Sequence, residues 1–478
     1  MTVEGLIHHF SQTTPEKTAL ITGGKEVSYA DLWKEIVKRA AWGVSHAQKG
    51  ERVVVSASKS IEFVYAYFGF HLAGLICVPL DPETNGTRLK RILDTARPSL
   101  VVGELRHHAG CDVIPFSETS VPNSIDTLKL PDENDIADLI YTTGTTGLPK
   151  GVVLTYANQM AAAQNINEFI GNGADDTEML ALPISHSFGL GRMRCVLSTG
   201  GTLVLLGSFA SMKKFYGEME RCHVTGFGMV PASWAYILKM SGNRIGMFAK
   251  QLRYIEIGSA FMPLNNKKRL MELLPDTHIC MHYGLTEASR STFISFHDEE
   301  DHLNTAGRPS PNTEVAVFDE QGKSLNIGVD GEICVKGSHV CSGYWEMPME
   351  EFRKDFNGEF FKTGDWGHLD EEGYVHLVSR KKEIINVGGK KVSPMEVEEV
   401  LNEIDGIEES ACVGVHDDVL GEVVKAFCVC KEEMDFEDVK KQITKKLENY
   451  KVPAFFERID HLPKTASGKM QRLLLHEN

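Results

Sequence analysis

Tyr141-Thr142-Thr143-Gly144-Thr145-Thr146-Gly147-Leu148-Pro149-Lys150-Gly151 follows directly on Ala137-Asp138-Leu139-Ile140. Three glycines free the backbone for tight turns and for close approach of a ligand. Threonine hydroxyls, exposed N–H groups and Lys150 are the groups that cradle phosphate oxygens. The spacing does not fit GxxxxGK[ST], so this is not a Walker A loop. Composition alone also fits a solvated loop between a strand and a helix. The same theme returns downstream, where an apolar run ends in a polar or glycine-rich loop at 179–189, 224–233, 253–261 and 278–289. If these strands share a sheet, the loops converge at its carboxyl end, where open α/β sheets bind ligands.

Towards the N-terminus, 49–58 reads as a turn and a strand, 61–80 as a helix broken near Gly74 and then a strand, and 99–105 as another strand. Strands alternating with helices predict an α/β fold with doubly wound, mainly parallel sheets. The acidic stretch 130–138 reads as a connector. The last part changes style. Ser393 caps and Pro394 starts a helix over 393–404, two strands lie near 410–415 and 423–430, and an amphipathic helix is expected over 435–450. This is a small α+β domain. The charged run Ser379-Arg380-Lys381-Lys382-Glu383 is the expected hinge, giving domains of 1–380 and 381–478.

The chain has 478 residues, 42% hydrophobic and 24% charged, too long for one ordinary core and globular rather than disordered. Its net charge of −16, from 50 Lys+Arg against 66 Asp+Glu, argues against nucleic acid as the main partner. No apolar run is long enough for a membrane span, and the first residues do not read as a signal peptide. The ten cysteines are scattered, with Cys428 and Cys430 in a strand-like alternation. Without CxxC or HExxH, no zinc site is indicated. A soluble, cytoplasmic protein is expected.

The 141–151 stretch resembles the phosphate loop of the acyl-adenylate-forming enzymes, which include acyl-CoA synthetases, peptide-synthetase adenylation domains and beetle luciferases. Four further motifs carry the resemblance in order: Tyr283-Gly284-Leu285-Thr286-Glu287, Lys362-Thr363-Gly364-Asp365, the segment opened by Arg380, and Pro463-Lys464-Thr465-Ala466-Ser467-Gly468-Lys469. The resemblance implies that a carboxylate attacks the α-phosphate of ATP, giving acyl-AMP and pyrophosphate. A thiol of CoA, or of a carrier protein's phosphopantetheine, then displaces AMP. An anion attacking a polyanion needs a divalent cation and local positive charge. The pattern puts Mg²⁺ on Glu287 and Thr146, the α-phosphate on Thr286, and the remaining phosphates on Thr142, Thr143, Gly144, Thr145 and Lys150. Gly258, Ser259, Ala260, His282 and Gly284 would line the nucleotide, with Tyr283 along the adenine and Asp365 and Arg380 at the ribose. Lys469 would sit on the carboxylate and α-phosphate, a contact worth about 3 kcal/mol in barrier height. After adenylation the C-terminal domain would rotate about Lys382. Gly388 and Gly389 would then lie along the pantetheine, and Lys391 at the AMP phosphate.

The acid itself is the least legible part. His186 and Phe188 match positions at the mouth of the acyl site. No Asp lies between Glu178 and Cys222 to pair with a substrate ammonium, which disfavours an α-amino acid. Arg192 and Arg290 stand where relatives carry smaller residues, and His282 stands where glycine is frequent. Arginines in the pocket would favour a second carboxylate or another polar acceptor on the acid; either one turned to an acidic neighbour would not. Three readings stay open: an acid–CoA ligase, an enzyme loading a carrier protein, and a nucleotide binder without turnover. The presence of Glu287 and Lys469 weighs against the third.

Overall fold

The computed structural model describes residues 1–121, 129–143, 149–464 and 470–475, with the side chains of 143 and 473 left aside. Its described residues build four sheets. A nine-stranded sheet has at its centre the strands Thr177–Leu180, Gly226–Met229, Tyr254–Ile257 and His278–Tyr283, paired side by side in this order and all parallel. Each is short and mostly buried, as expected for strands covered on both faces. Four of the five loops read from the sequence therefore leave one sheet at its carboxyl end.

The fifth belongs elsewhere. Ile136–Thr143 lies in a six-stranded sheet with the parallel strands Arg52–Ser56, Ile76–Leu80 and Leu100–Val102. It pairs antiparallel with Pro149–Thr155, so the glycine–threonine segment joins two strands of a hairpin and not a strand to a helix. The helix comes one strand later, at Tyr156–Ile170, opened by a capping box of Thr155 and Asn158.

Two differences from the sequence reading have local causes. An antiparallel sheet of Glu314–Phe318, Gly331–Lys336, Phe356–Asn357, Phe360–Leu369 and Val375–Arg380 was not anticipated. Apart from the mostly buried Gly331–Lys336, its strands mix buried and partly exposed residues and lack the continuous apolar runs that mark the parallel ones. In the C-terminal part, Pro394–Asn402 forms as read, with Ser393 Oγ accepting from Glu396 N. The two strands are longer than read, Ile407–Asp417 and Gly421–Cys430. The helix read over 435–450 stops at Ile443.

A buried polar node ties the six-stranded sheet to the helices around it. His71 bonds Glu4 through Nδ1 (2.8 Å) and Asp138 through Nε2 (3.1 Å). Asp138 also pairs with Arg194 and accepts from Tyr67 Oη and Gln159 Nε2. Asp138 belongs to the strand that enters the glycine–threonine loop, so this node fixes the root of that loop. No described helix is long and apolar enough to cross a membrane.

Candidate active site

The strand His278–Tyr283 ends in the turn that carries Thr286 and Glu287. Leu285 N donates to Ala288 O at 3.0 Å, and Cys341 N donates to Glu287 O at 2.7 Å. These bonds tie the turn to the 340–344 segment, which continues as Gly343–Tyr344 and pairs with Pro149–Thr155. Tyr344 thereby reaches both sides. Its hydroxyl donates to Glu287 Oε1 at 3.0 Å, and the Lys150 ammonium lies 5.1 Å from its ring centroid. The carboxylate and the lysine expected at the phosphates are thus held against one tyrosine that the sequence reading did not single out. Its signal was present, since Gly343-Tyr344 follows the buried Cys341, but nothing in the sequence says that this pair joins the hairpin.

Across the same strand end, Tyr283 Oη donates to Asp365 Oδ2 at 2.5 Å. Arg380 Nε lies 2.8 Å from Asp365 Oδ1, and its Nη1 donates to Thr363 O at 3.1 Å. Burial, then Asp365, pushes the Tyr283 hydroxyl well above its ordinary value, so it remains a donor. Three residues expected at adenine and ribose therefore form one bonded corner. Lys391 lies over Trp366, next to Asp365, at 4.2 Å from the ring centroid. Gly388 and Gly389, at φ +58° and +82°, turn the hairpin from Ile385–Val387 into Lys390–Val392, a backbone that L side chains rarely adopt. Lys382 is exposed in the connecting segment.

The acyl side departs from expectation. His186 stands in extended backbone just before the helix Ser187–Ser198. Its pKa is lowered by burial and then by Arg88, a residue missed in the sequence, so the ring stays neutral. Phe188 meets His282 edge to face at 4.7 Å. The arginines, however, are not offered to a second substrate carboxylate. Arg192 is fully buried and bonds Glu178 through Nε (2.9 and 3.1 Å) and Nη2, with Nη1 3.3 Å from Glu256. Arg290 bonds Glu256 through Nε at 3.0 Å and the carbonyls of Ser187 and Phe188, each at 3.0 Å, through its other nitrogens. Burial alone would raise Glu256, yet Arg290, His282 and Arg192 hold it far below the usual carboxylate range. Two arginines thus balance two glutamates. Their partners come from strands distant in sequence, which is why the sequence did not disclose the pairing.

His282 belongs to the same cluster, its Nδ1 2.6 Å from Glu256 Oε1, and burial lowers its pKa. Gly258 packs against this ring so closely that an added Cβ would lie 2.1 Å from His282 Cε1. Only glycine fits there. Ser259 follows at φ +72°, outside the ordinary range for its residue type, and Ala260 is half-buried. Gly144, Thr145, Thr146 and Lys469 lie outside the described residues, as does the side chain of Thr143. Thr142 ends the described strand.

The family profile of AMP-binding enzymes matches residues 7–345, and that of the AMP-binding enzyme C-terminal domain matches 396–469. The long-chain-fatty-acid–CoA ligase of Bacillus subtilis (strain 168) is 30% identical, with 100% of this chain and 94% of that protein covered. ATP-bound MatB from Rhodopseudomonas palustris superposes with a TM-score of 0.91 at 27% identity, covering 100% and 99% of the two chains. The o-succinylbenzoate CoA synthetase MenE from Bacillus subtilis, solved with its acyl-adenylate OSB-AMP, superposes with a TM-score of 0.89 at 27% identity, covering 98% and 97%. The same protein solved with ATP and a magnesium ion gives a TM-score of 0.90 at 26% identity, covering 99% of both chains. The chain belongs to the AMP-binding enzyme family and within it is an ATP-dependent, AMP-forming acyl-CoA synthetase.

Proposed function

We propose that the acid is activated between His186 and the Thr286–Glu287 turn. ATP would lie across the end of the His278–Tyr283 strand. In this reading Asp365 and Arg380 hold the ribose, Tyr283 flanks the adenine, and Thr286 meets the α-phosphate. Thr142, Thr143, Gly144, Thr145 and Lys150 hold the outer phosphates. The observation that carries it is the pair of bonded corners, Glu287–Tyr344 with Lys150 on one side and Tyr283–Asp365–Arg380 on the other, flanking one strand end.

Glu287 suits Mg²⁺ as a half-buried hard oxygen donor whose direction Tyr344 sets, with Thr146 as the second expected ligand. When bound, the ion offsets charge on the phosphates as the carboxylate attacks. Lys469 is assigned the matching contact on the reacting carboxylate. Residues 381–478 would then rotate about Lys382, withdrawing Lys469 and bringing Gly388, Gly389 and Lys391 to the site for the CoA thiol. The neutral His186 lines the mouth between nucleotide and acid.

Acid-dependent pyrophosphate release, with and without CoA, tests this reading. A CoA thioester formed from ATP and an acid supports it. Acylation of a carrier protein with none of CoA would favour the carrier-loading alternative. Release that survives Glu287→Gln and Lys469→Ala together would overturn the assignment of roles.

A further inference from the structure

Behind the Thr286–Glu287 turn lies a cavity of about 20 Å³, bounded by the helices Tyr156–Ile170 and Ser187–Ser198. It is lined by Ser187 and Thr286, by Ser289 and Arg290, by the apolar Ala163, and by His339. It has room for one water or one hydroxyl-sized group.

His339 is the unexplained member. It is 1% exposed, and neither ring nitrogen has a hydrogen-bond partner. A buried polar group in that state is rare and marks an absent ligand or water. The ring is aimed by its neighbours and not by bonds of its own. Asn158 Nδ2 donates to Ser338 O and to Val340 O, both at 2.9 Å, and so clamps the backbone on either side of it. The other strong donors at this wall are committed. Arg290 is spent on Glu256, two carbonyls and Ser289 Oγ, and Arg194 on Asp138 and Tyr67.

Resting on the adenylation reading above, we propose that the acid activated here is short and carries a hydroxyl group that docks on His339. The chemistry of the wall selects this class. Burial holds the imidazole neutral, with a pKa lowered to about 4, so it offers one donor and one acceptor. The backbone of Gly337 packs against the Nδ1 side of the ring, and a hydroxyl, which both donates and accepts, can bond the other nitrogen in either tautomer. A second carboxylate would need uncommitted positive charge, and the nearby guanidiniums are balanced by Glu178, Glu256 and Asp138. An ammonium would need a spare carboxylate. A long alkyl chain does not fit a space of about 20 Å³.

The test compares kcat/KM for pyrophosphate release across straight-chain acids of three to six carbons. Each is set against its hydroxy derivatives and the dicarboxylic acid of equal length, with hexadecanoate included. One hydroxy acid is expected to exceed its parent acid by about tenfold, the worth of one net hydrogen bond to a site that water otherwise fills. In His339→Leu that ratio falls to near one, and His339→Gln, which keeps a donor and an acceptor, retains part of it. The ratio is independent of how much variant folds. Parent acids equal to their hydroxy derivatives, a preference for a dicarboxylic acid or hexadecanoate, or a ratio that survives His339→Leu would each overturn the proposal. Silence with every acid while AMP binds by calorimetry overturns the substrate class alone. Failure to bind AMP as well overturns the adenylation reading beneath it.

Discussion

Replacing Glu178 by leucine removes the partner of the most deeply buried arginine at the site. Glu178 accepts two bonds from Arg192 Nε, one from Nη2, and one from Tyr254 Oη at 2.6 Å, and neither member of the ion pair is exposed. Breaking one side of such a pair costs about 3–5 kcal/mol, because the remaining charge stays buried. The orphaned phenol adds about 1 kcal/mol, while Glu256, 3.3 Å from Arg192 Nη1, recovers some of the loss. The expected destabilisation is about 4 kcal/mol, a large share of a domain's usual stability. Glu178→Leu with Arg192→Met removes both charges, and replacing a buried pair by apolar groups of similar volume is often close to neutral. The double variant should therefore be the more stable one, with a coupling of about 2–3 kcal/mol. Equilibrium unfolding in urea, followed by the fluorescence of Trp234, buried beside the same sheet, reads this directly. A single variant within about 1 kcal/mol of wild type, or a double variant as unstable as the sum of the singles, would refute the view that this cluster is a closed, charge-balanced unit.

Tyr344→Phe deletes the bond that directs Glu287; kcat/KM should fall about tenfold and the Mg²⁺ needed for half-maximal rate should rise, as titration with MgCl₂ would show. Lys469→Ala should lower acyl-AMP formation by at least about a hundredfold while sparing thioester formation from supplied acyl-AMP and CoA, measured as separate half-reactions. His339 gives a pH signature. Its pKa is about 4 in the folded chain against an ordinary 6.5, so the unfolded chain takes up the proton first as pH falls. Its contribution to stability is complete above pH 6.5 and is lost as pH drops towards 4, by at most about 3 kcal/mol. Urea midpoints for His339→Leu should be correspondingly flatter between pH 6.5 and 4 than those of wild type.

The parallel strands and their loops were legible because a strand buried on both faces must be an apolar run, and the residue that ends the run is then conspicuous. Thr286, Glu287, Asp365 and Arg380 were legible as motifs. Their mutual bonding was not, because Asp365 meets Tyr283 from a strand 82 residues away. Arg192 and Arg290 show the limit most sharply. Arginine in a sequence announces a need for an acceptor and not which acceptor meets it. Here Glu178 and Glu256, one on each of two strands of the same sheet, meet it within the protein. Gly258 is legible only in three dimensions, since its requirement for hydrogen in place of a side chain comes from the ring of His282, 24 residues on in the chain. His339 carried no sequence signal at all.

A chain with a net charge of −16 must bind a polyanion against its own field. Arg380 is neutralised by Asp365, and the acyl floor is balanced between two arginines and two glutamates. Lys391 lies over Trp366 with its ammonium 3.7 Å from Glu320, too exposed a pairing to hold much of its charge. Among the described residues, positive charge is offered to the expected phosphate positions by the half-buried Lys150, the exposed Lys391 and Arg88, whose Nη2 donates to Tyr141 O at the root of the glycine–threonine loop. Such charges are screened over about 8 Å at physiological ionic strength, whereas a metal ion at the position proposed for it on Glu287 would not be displaced by monovalent salt. The KM for ATP should therefore rise only a few-fold between 0.05 and 0.5 M KCl at saturating Mg²⁺, and far more steeply when Mg²⁺ is limiting. Equal salt dependence at both Mg²⁺ levels would mean that side-chain charge, and not the ion at Glu287, holds the phosphates.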